Sequence, residues 1–277
     1  MTLDADKIQS HVFADRTRAY TSREAILYAL CCGAETHENL SFVHEDGLRV
    51  IPSFGQNLCF DDSWMQACGV DLARVVHGGL DLRMYRPFVP EATLVARPRI
   101  AGLLDKGDGK AALILLATDL LDGDEIVFTS YSNLFVMGGG GFGGSRGEAF
   151  EMIRSPERQP DATTRIASRP DSPLLFRLLG DLNALHVLPE AARAAGFERP
   201  IMHGANTFGL VCFDVLRHFC DGDPARMSRF AARFSGPLYP GEELEVSYWN
   251  QEGGVRFAAR SVGRDKPVLD GGLARFA

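Results

Sequence analysis

The sequence predicts an α+β protein in which one unit, a helix followed by an antiparallel meander, occurs twice. Three observations predict it. First, residues 93–104, 111–121 and 125–137 read as strands and are joined by the short turns Asp105-Lys106-Gly107-Asp108-Gly109 and Asp122-Gly123-Asp124. Turns that short leave no room for crossover helices, so the strands run antiparallel. Second, a similar block ends the chain, at 229–235, 243–250, 255–262 and 268–276, with turns at Glu252-Gly253-Gly254 and Gly263-Arg264-Asp265. Third, both blocks carry the same local string, P-x-x-P-x-x-x-L, from Pro87 to Leu94 and from Pro237 to Leu244. An internal repeat of this kind has to be recognised before the fold is assigned. One helix for each sheet implies two antiparallel sheets, each wrapped around a central helix. The expected division is an N-terminal half, 1–155, and a C-terminal half, 156–277.

Along the chain, Thr21 or Ser22 caps a first helix whose apolar face is Ala25, Ile26, Tyr28, Ala29 and Leu30, and which stops near Gly33. Residues 37–70 are irregular, with a short helix expected around 62–67. The β pattern begins at Val75. Gly138, Gly140 and Gly143 formally spell G-x-G-x-x-G after a strand. No apolar helix follows and the neighbouring meander is antiparallel, so a tight backbone turn is expected there and not a dinucleotide site. The charged stretch 145–172, with Pro156, Pro160 and Pro170, reads as a linker between halves. Ser172 or Asp171 then caps a short helix through Leu174, Leu175, Leu178 and Leu179, and Pro189 opens another over 189–195. The longest helical run is 204–218. Phe208, Val211, Cys212 and Val215 form its apolar face, and Asp214 is expected on the other side.

Composition narrows the function classes. Of 277 residues, 45% are hydrophobic and 23% charged, enough for a full core. A net charge of −7 argues against nucleic acid or an anionic membrane as the main partner. The six cysteines, Cys31, Cys32, Cys59, Cys68, Cys212 and Cys220, include no C-x-x-C pair and lie mostly in apolar stretches. Reduced core thiols in a cytoplasmic protein are therefore expected, with neither disulfide nor zinc. The acidic N-terminus lacks the apolar region of a signal peptide, no run is long enough to span a membrane, and the last residues are not a peroxisomal address.

The chemistry concentrates in two runs. Gly180-Asp181-Leu182-Asn183-Ala184-Leu185-His186 sets a carboxylate, an amide and an imidazole within seven residues. Phe197-Glu198-Arg199-Pro200-Ile201-Met202-His203-Gly204 ends in a glycine that opens the long helix. Adding water to an α,β-unsaturated thioester requires a base to deliver the water, a proton for the α carbon, and fixed donors for the charge gained by the thioester oxygen. Asp181 and His186 suit the first two tasks. Asn183 can hold loop geometry through its amide. A glycine at a helix start suits the third, since backbone N–H groups and the helix dipole both favour negative charge there. His203 reads equally as a structural hydrogen-bonding residue or as part of the site.

These runs, GDLNALH followed by AARAAGFERPIMHG, closely resemble the hydratase 2 motif of the MaoC-like (R)-specific enoyl-CoA hydratases. The resemblance extends from about Tyr20 to the end. In the first half FVHE, VVHGGLDL, LLDKGDG and GGGGFGG match the hydratase 2 pattern of eukaryotic multifunctional β-oxidation proteins. It implies the double hotdog fold and reversible (3R)-hydroxyacyl-CoA dehydration. It implies Asp181 and His186 as the catalytic pair, with the Gly204 N–H on the thioester oxygen and Leu182, Asn183, Ala184 and Leu185 along the substrate. By the same resemblance His77 and Gly78 line the CoA channel, Lys106 meets CoA phosphates or pantetheine, Glu45 lies near the site and Phe234 touches substrate. The partner is an acyl-CoA, no cofactor or metal is needed, and a homodimer is implied.

After Gly33 the first half has no Asp with a His five residues on. In this family such a degenerate half is thought to leave room for the acyl chain, which suggests a medium, long or bulky group. The chain departs from the usual G-D-x-N-P-[LI]-H by Ala184 for proline; Leu179 stands where serine is usual, and Phe176 where tyrosine is common. Two other readings stay open. A non-catalytic acyl-CoA-binding subunit would bind CoA esters without converting them, and a hotdog thioesterase would release free thiol.

Overall fold

The computed structural model describes residues 2–34, 37–151 and 153–277. In the first half α1 (Ala5–Gln9) and β1 (Arg16–Tyr20) precede α2 (Ser22–Cys31). The short helices α3 (Leu40–Val43), α4 (Gly55–Cys59) and α5 (Ser63–Ala67) follow. Next come β2 (Val75–Met84), β3 (Ala92–Asp105), β4 (Ala112–Asp122), β5 (Glu125–Val136) and the two-residue β6 (Arg146–Gly147). The second half runs β7 (Ala162–Ala167), α6 (Ser172–Phe176), α7 (Pro189–Ala194) and α8 (Gly204–Phe219). It ends with β8 (Met227–Phe234), β9 (Glu243–Gln251), β10 (Gly254–Ser261) and β11 (Lys266–Phe276).

The strands form one sheet in the order β1-β3-β4-β5-β2-β8-β11-β10-β9-β7, with β6 on β3. Read outward from the centre, both halves have the same order, so the repeat seen in the sequence is a repeat of topology. The two expected sheets are in fact continuous, because β2 and β8 pair antiparallel from Gly79↔Arg233 to Arg83↔Arg229. Across this seam the buried Asp81 carboxylate accepts two hydrogen bonds from Arg229, Nε at 2.8 Å and Nη2 at 2.7 Å. Arg229 also donates to Glu151.

The core gathers around α8. Every residue from Asn206 to Leu216 is buried, and Phe208 packs edge-on against Phe230 of β8 at 4.7 Å. This includes Asp214, which was expected to face outward. Its carboxylate instead accepts from Thr164 of β7 and Tyr248 of β9, and from Arg217 at 3.1 Å. A buried carboxylate persists only when paired in this way. The Tyr248 phenol is correspondingly driven above its ordinary range, by burial first and by the Asp214 charge second. Strand β7 was missed because 145–172 reads as a polar linker. It is an edge strand with Ile166 as its one large apolar residue, so little hydrophobic alternation marks it.

Thr21 caps α2 with a full capping box to Glu24. Helices α2 and α8 approach closely where Gly209 removes a side chain: a Cβ there would lie 2.5 Å from Tyr28 Oη and 2.7 Å from Cys32 Sγ. Gly209→Val should therefore destabilise the fold by about 2 kcal/mol, and an unchanged urea midpoint would contradict this packing. The glycine run is the expected turn, and it has a partner. Gly141, Gly143 and Gly144 donate their N–H groups to the Asp105 carboxylate at 2.7, 2.9 and 3.1 Å, joined by Gly107 at 2.8 Å. These donors hold the Asp105 carboxyl down at about 2. The anion in this nest belongs to the chain itself, which leaves no cradle for a dinucleotide phosphate. All six cysteines are free and buried.

The helices that begin each unit differ in length. The one before β8 is α8, of 16 residues, while its counterpart before β2 is α4, of five. Arg18 and Arg16 end α4 by donating to the carbonyls of Leu58, Cys59 and Phe60.

Candidate active site

Gly180 reverses the chain after α6 with φ 119°, a conformation open to glycine. Asp181 follows, its Oδ1 accepting from Asn183 N at 3.1 Å. The Asn183 side chain then accepts from Leu185 N at 3.0 Å and caps the 3-10 turn Ala184–His186. The turn that a proline at 184 would stiffen is thus fixed by the Asn183 amide. Leu182, Asn183 and Ala184 are exposed, Leu185 is half-buried, and His186 is buried.

His186 Nδ1 lies 2.9 Å from the Ile201 carbonyl. A carbonyl only accepts, so Nδ1 carries the proton and Nε2 is bare. His203 Nε2 donates in the same way to the Asp181 carbonyl at 3.2 Å, leaving Nδ1 buried with no protein partner. The two imidazoles stack with centroids 3.8 Å apart and planes at 30°, and Phe176 lies 4.9 Å from the His203 ring. Asp181, His186 and His203 each place one ligand-type atom within 4.8 Å of the others. His203 was equally open to a structural and a site reading; it lies in the cluster, bonded to the Asp181 carbonyl and stacked on the His186 ring.

Burial sets the charge state. It lowers the His186 affinity for protons, partly offset by the Ile201 carbonyl and the Asp181 charge. Burial and then the neighbouring His186 bring His203 down to about 3. His77, also through burial, falls to about 4. All three are neutral at pH 7. Their folded affinities lie below the ordinary 6.5, so the unfolded chain takes up protons first. Stability present above pH 6.5 is lost as pH falls towards 4 and then 3. At pH 5, His77 and His203 should each account for up to about 2 kcal/mol; urea midpoints that do not change between pH 7.5 and 5 would contradict this.

Gly204 opens α8 beside this cluster, and no side chain caps the helix. The first-turn N–H groups are therefore available to a ligand. A Cβ at Gly204 would stand 3.2 Å from the Phe234 ring. Phe234 in turn lies 5.0 Å from His77. His77 sits at a register shift between β2 and β5, with Nε2 buried and without a protein partner. Next to it, Gly78 makes room for Phe135, whose ring would be 2.3 Å from a Cβ there. Lys106 Nζ is 4.7 Å from the Phe135 centroid. One continuous path thus runs from exposed Lys106 through Phe135, Gly78, His77 and Phe234 to Gly204. Glu45 is not on it. Its loop is tied to the other end of α8, through Phe42 against Phe213 at 5.1 Å and Arg49 on the Gly222 carbonyl at 2.9 Å.

Asp181 also borders a narrow cleft with about 30 Å3 of free volume, lined by Gln56, Asn57, Phe60, Phe176, Leu179, Asp181 and Ala205. Two of its walls, Leu179 and Phe176, are the departures noted in the motif. Gln56, Asn57 and Phe60 were missed because 37–70 reads as irregular. A signal was present: Gly55-Gln56-Asn57 opens α4 as Gly204-Ala205-Asn206 opens α8.

Comparison with known proteins agrees with this arrangement. Residues 19–138 match the MFE-2 hydratase 2 N-terminal domain and residues 151–271 the MaoC like domain. A probable enoyl-CoA hydratase 2 of Dictyostelium discoideum is 32% identical over 99% of this chain and 97% of its own. An enoyl-CoA hydratase of Mycobacterium tuberculosis, ChsH3, is 35% identical over 92% of each. The crystal structure of a MaoC-like dehydratase from Phytophthora capsici superposes with a TM-score of 0.91 at 28% identity, covering 99% of this chain and 98% of that one. The chain belongs to the enoyl-CoA hydratase 2 family, a MaoC-like double hotdog with a hydratase 2 N-terminal half.

Proposed function

We propose that this protein is an (R)-specific enoyl-CoA hydratase, working in reverse as a (3R)-hydroxyacyl-CoA dehydratase. The observation that carries the reading is the bare Nε2 of a neutral, buried His186 beside the Asp181 carboxylate, next to the free N-terminus of α8. In this reading a water sits between Asp181 and His186. His186 takes a proton from it, and the water oxygen bonds to the β carbon. The π electrons move onto the thioester, whose oxygen accepts from the Gly204 N–H in the field of the helix dipole. The proton held by the pair then passes to the α carbon, so one water is added and the enzyme is restored. His203 is a positioning residue that keeps Asp181 and the His186 ring in place.

Lys106, Phe135, Gly78, His77 and Phe234 would carry the CoA arm, with the Lys106 ammonium exposed for a phosphate. The acyl chain would run into the cleft beside the shortened α4. The five-residue α4 and the lack of a second Asp/His pair in the first half are what support a medium, long or bulky acyl group. No metal or cofactor takes part in this chemistry. The same reading includes a homodimer and a cytoplasmic location. Among the described residues no helix is long and apolar enough to cross a membrane.

The test is loss of the conjugated-thioester absorbance of trans-2-enoyl-CoA esters, with and without chelator. Hydration unaffected by chelator is expected. Binding of CoA esters with no conversion would instead favour a non-catalytic acyl-CoA binder, and release of free thiol a thioesterase. Retention of the whole Asp181/His186 arrangement argues against both. Activity should rise with pH through a value below 6.5 and level off by neutrality, since His186 acts as a base and is depressed by burial. A rate that falls between pH 6 and 7.5 would contradict His186 as the base.

A further inference from the structure

The acyl cleft is not a plain hydrocarbon slot. Phe60, Phe176, Leu179 and Ala205 give it apolar walls, but Gln56 and Asn57 bring two carboxamides into it. Asn57 Nδ2 is buried and has no hydrogen-bond partner. Gln56 uses one end of its amide on Ser130 Oγ, and its other end makes no hydrogen bond among the described residues. A buried polar group without a partner is expensive to keep, so a site that retains one in a ligand cleft is built to meet a polar atom there.

The repeat sharpens the point. Asn57 is the third residue of α4, as Asn206 is of α8. Asn206 is fully buried and spends its Nδ2 on the Cys31 carbonyl at the end of α2, at 2.9 Å. The corresponding helix of the other half, α6, has five residues against ten in α2, and no carbonyl reaches Asn57 Nδ2. The same amide is a structural tie in one half, while in the other its nitrogen is buried without a partner on a residue that lines the cleft at Asp181.

We infer that the enzyme selects acyl-CoA substrates whose acyl chain carries an uncharged oxygen, a hydroxyl or a keto group, beyond the reacting double bond, and that Asn57 with Gln56 recognises it. The carboxamides are neutral, and the guanidinium groups of Arg16 and Arg18 are held by the α4 carbonyls, so the two groups that recognise the ligand favour an uncharged oxygen. The inference rests on the hydratase reading for the chemistry of the ligand.

The experiment uses a ten-carbon acyl-CoA series: the unsubstituted trans-2-enoyl ester and esters with a hydroxyl on each successive carbon from the fifth outward. Affinity by calorimetry and hydration rate are measured on the wild type, Asn57→Leu and Gln56→Leu. The expected result is at least tenfold tighter binding of one hydroxylated ester over the plain one. Asn57→Leu, which keeps the volume, should abolish or invert that preference in binding. Equal binding across the series by the wild type, or a preference unchanged in Asn57→Leu, would overturn the proposal. Binding is read apart from turnover. Selective binding without hydration would sustain the inference and sink the hydratase assignment, and hydration without selectivity would do the reverse.

Discussion

Asp181→Asn and His186→Ala should each lower kcat for enoyl-CoA hydration by roughly a thousandfold or more, within the range expected for acid–base groups in the transition state. In the proposed mechanism the two groups act on one water, so the double variant should be little worse than the more damaging single one. Asp181 is only partly buried and holds the turn through one oxygen, and Asn keeps an oxygen for the Asn183 N–H. The Asn variant should therefore fold normally, with KM nearly unchanged. Turnover within tenfold of wild type in a folded Asp181→Asn protein would remove the carboxylate from the mechanism. His203→Gln is the contrasting case. It keeps a donor for the Asp181 carbonyl but loses the stacked ring, so it should lower kcat less, and by disordering His186.

The second large effect is on stability and arises at the seam. Asp81→Ala leaves the Arg229 guanidinium half-buried, with only Glu151 as its carboxylate partner. Breaking one side of a buried pair destabilises by about 3–5 kcal/mol, and the surviving partner places this case near the low end. Since β2 carries His77 and β8 carries Phe234, weakening the pairing of these strands should also raise KM for the CoA ester. Asp81→Leu combined with Arg229→Met, an apolar replacement of both partners, should recover most of the stability. A thermal midpoint in Asp81→Ala equal to wild type would show that the seam is held by backbone pairing and packing alone.

Much of this was legible in the residues, and the reasons are physical. The meanders were visible because the apolar runs are of strand length and the turns between them are short and rich in Gly and acidic residues, as at 105–109 and 252–254. The start of α8 was visible because a glycine opens a long apolar run. Strand β7 was hidden because an edge strand needs little apolar alternation, and Ala162–Ala167 has Ile166 alone. The continuity of the sheet was hidden because pairing of β2 with β8 is a contact between residues 148 apart, as for Asp81 and Arg229. Asp214 misled because charge at helical spacing normally means solvent; Thr164 and Tyr248, which satisfy it, come from strands far along the chain. In the site, the Asp181–His186 run could be read locally, since its hydrogen bonds span two residues each. The cleft could not, because Asn57 and Phe60 meet Leu179 and Asp181 only through the fold.

The stereochemistry of the product tests the central claim most directly. The purified protein would be incubated with a trans-2-enoyl-CoA ester, and the 3-hydroxyacyl-CoA formed would be offered to an (R)-specific and an (S)-specific 3-hydroxyacyl-CoA dehydrogenase. The account predicts a product oxidised by the (R)-specific enzyme alone. An (S) product, or no hydration of any ester in a panel of increasing chain length, would contradict it.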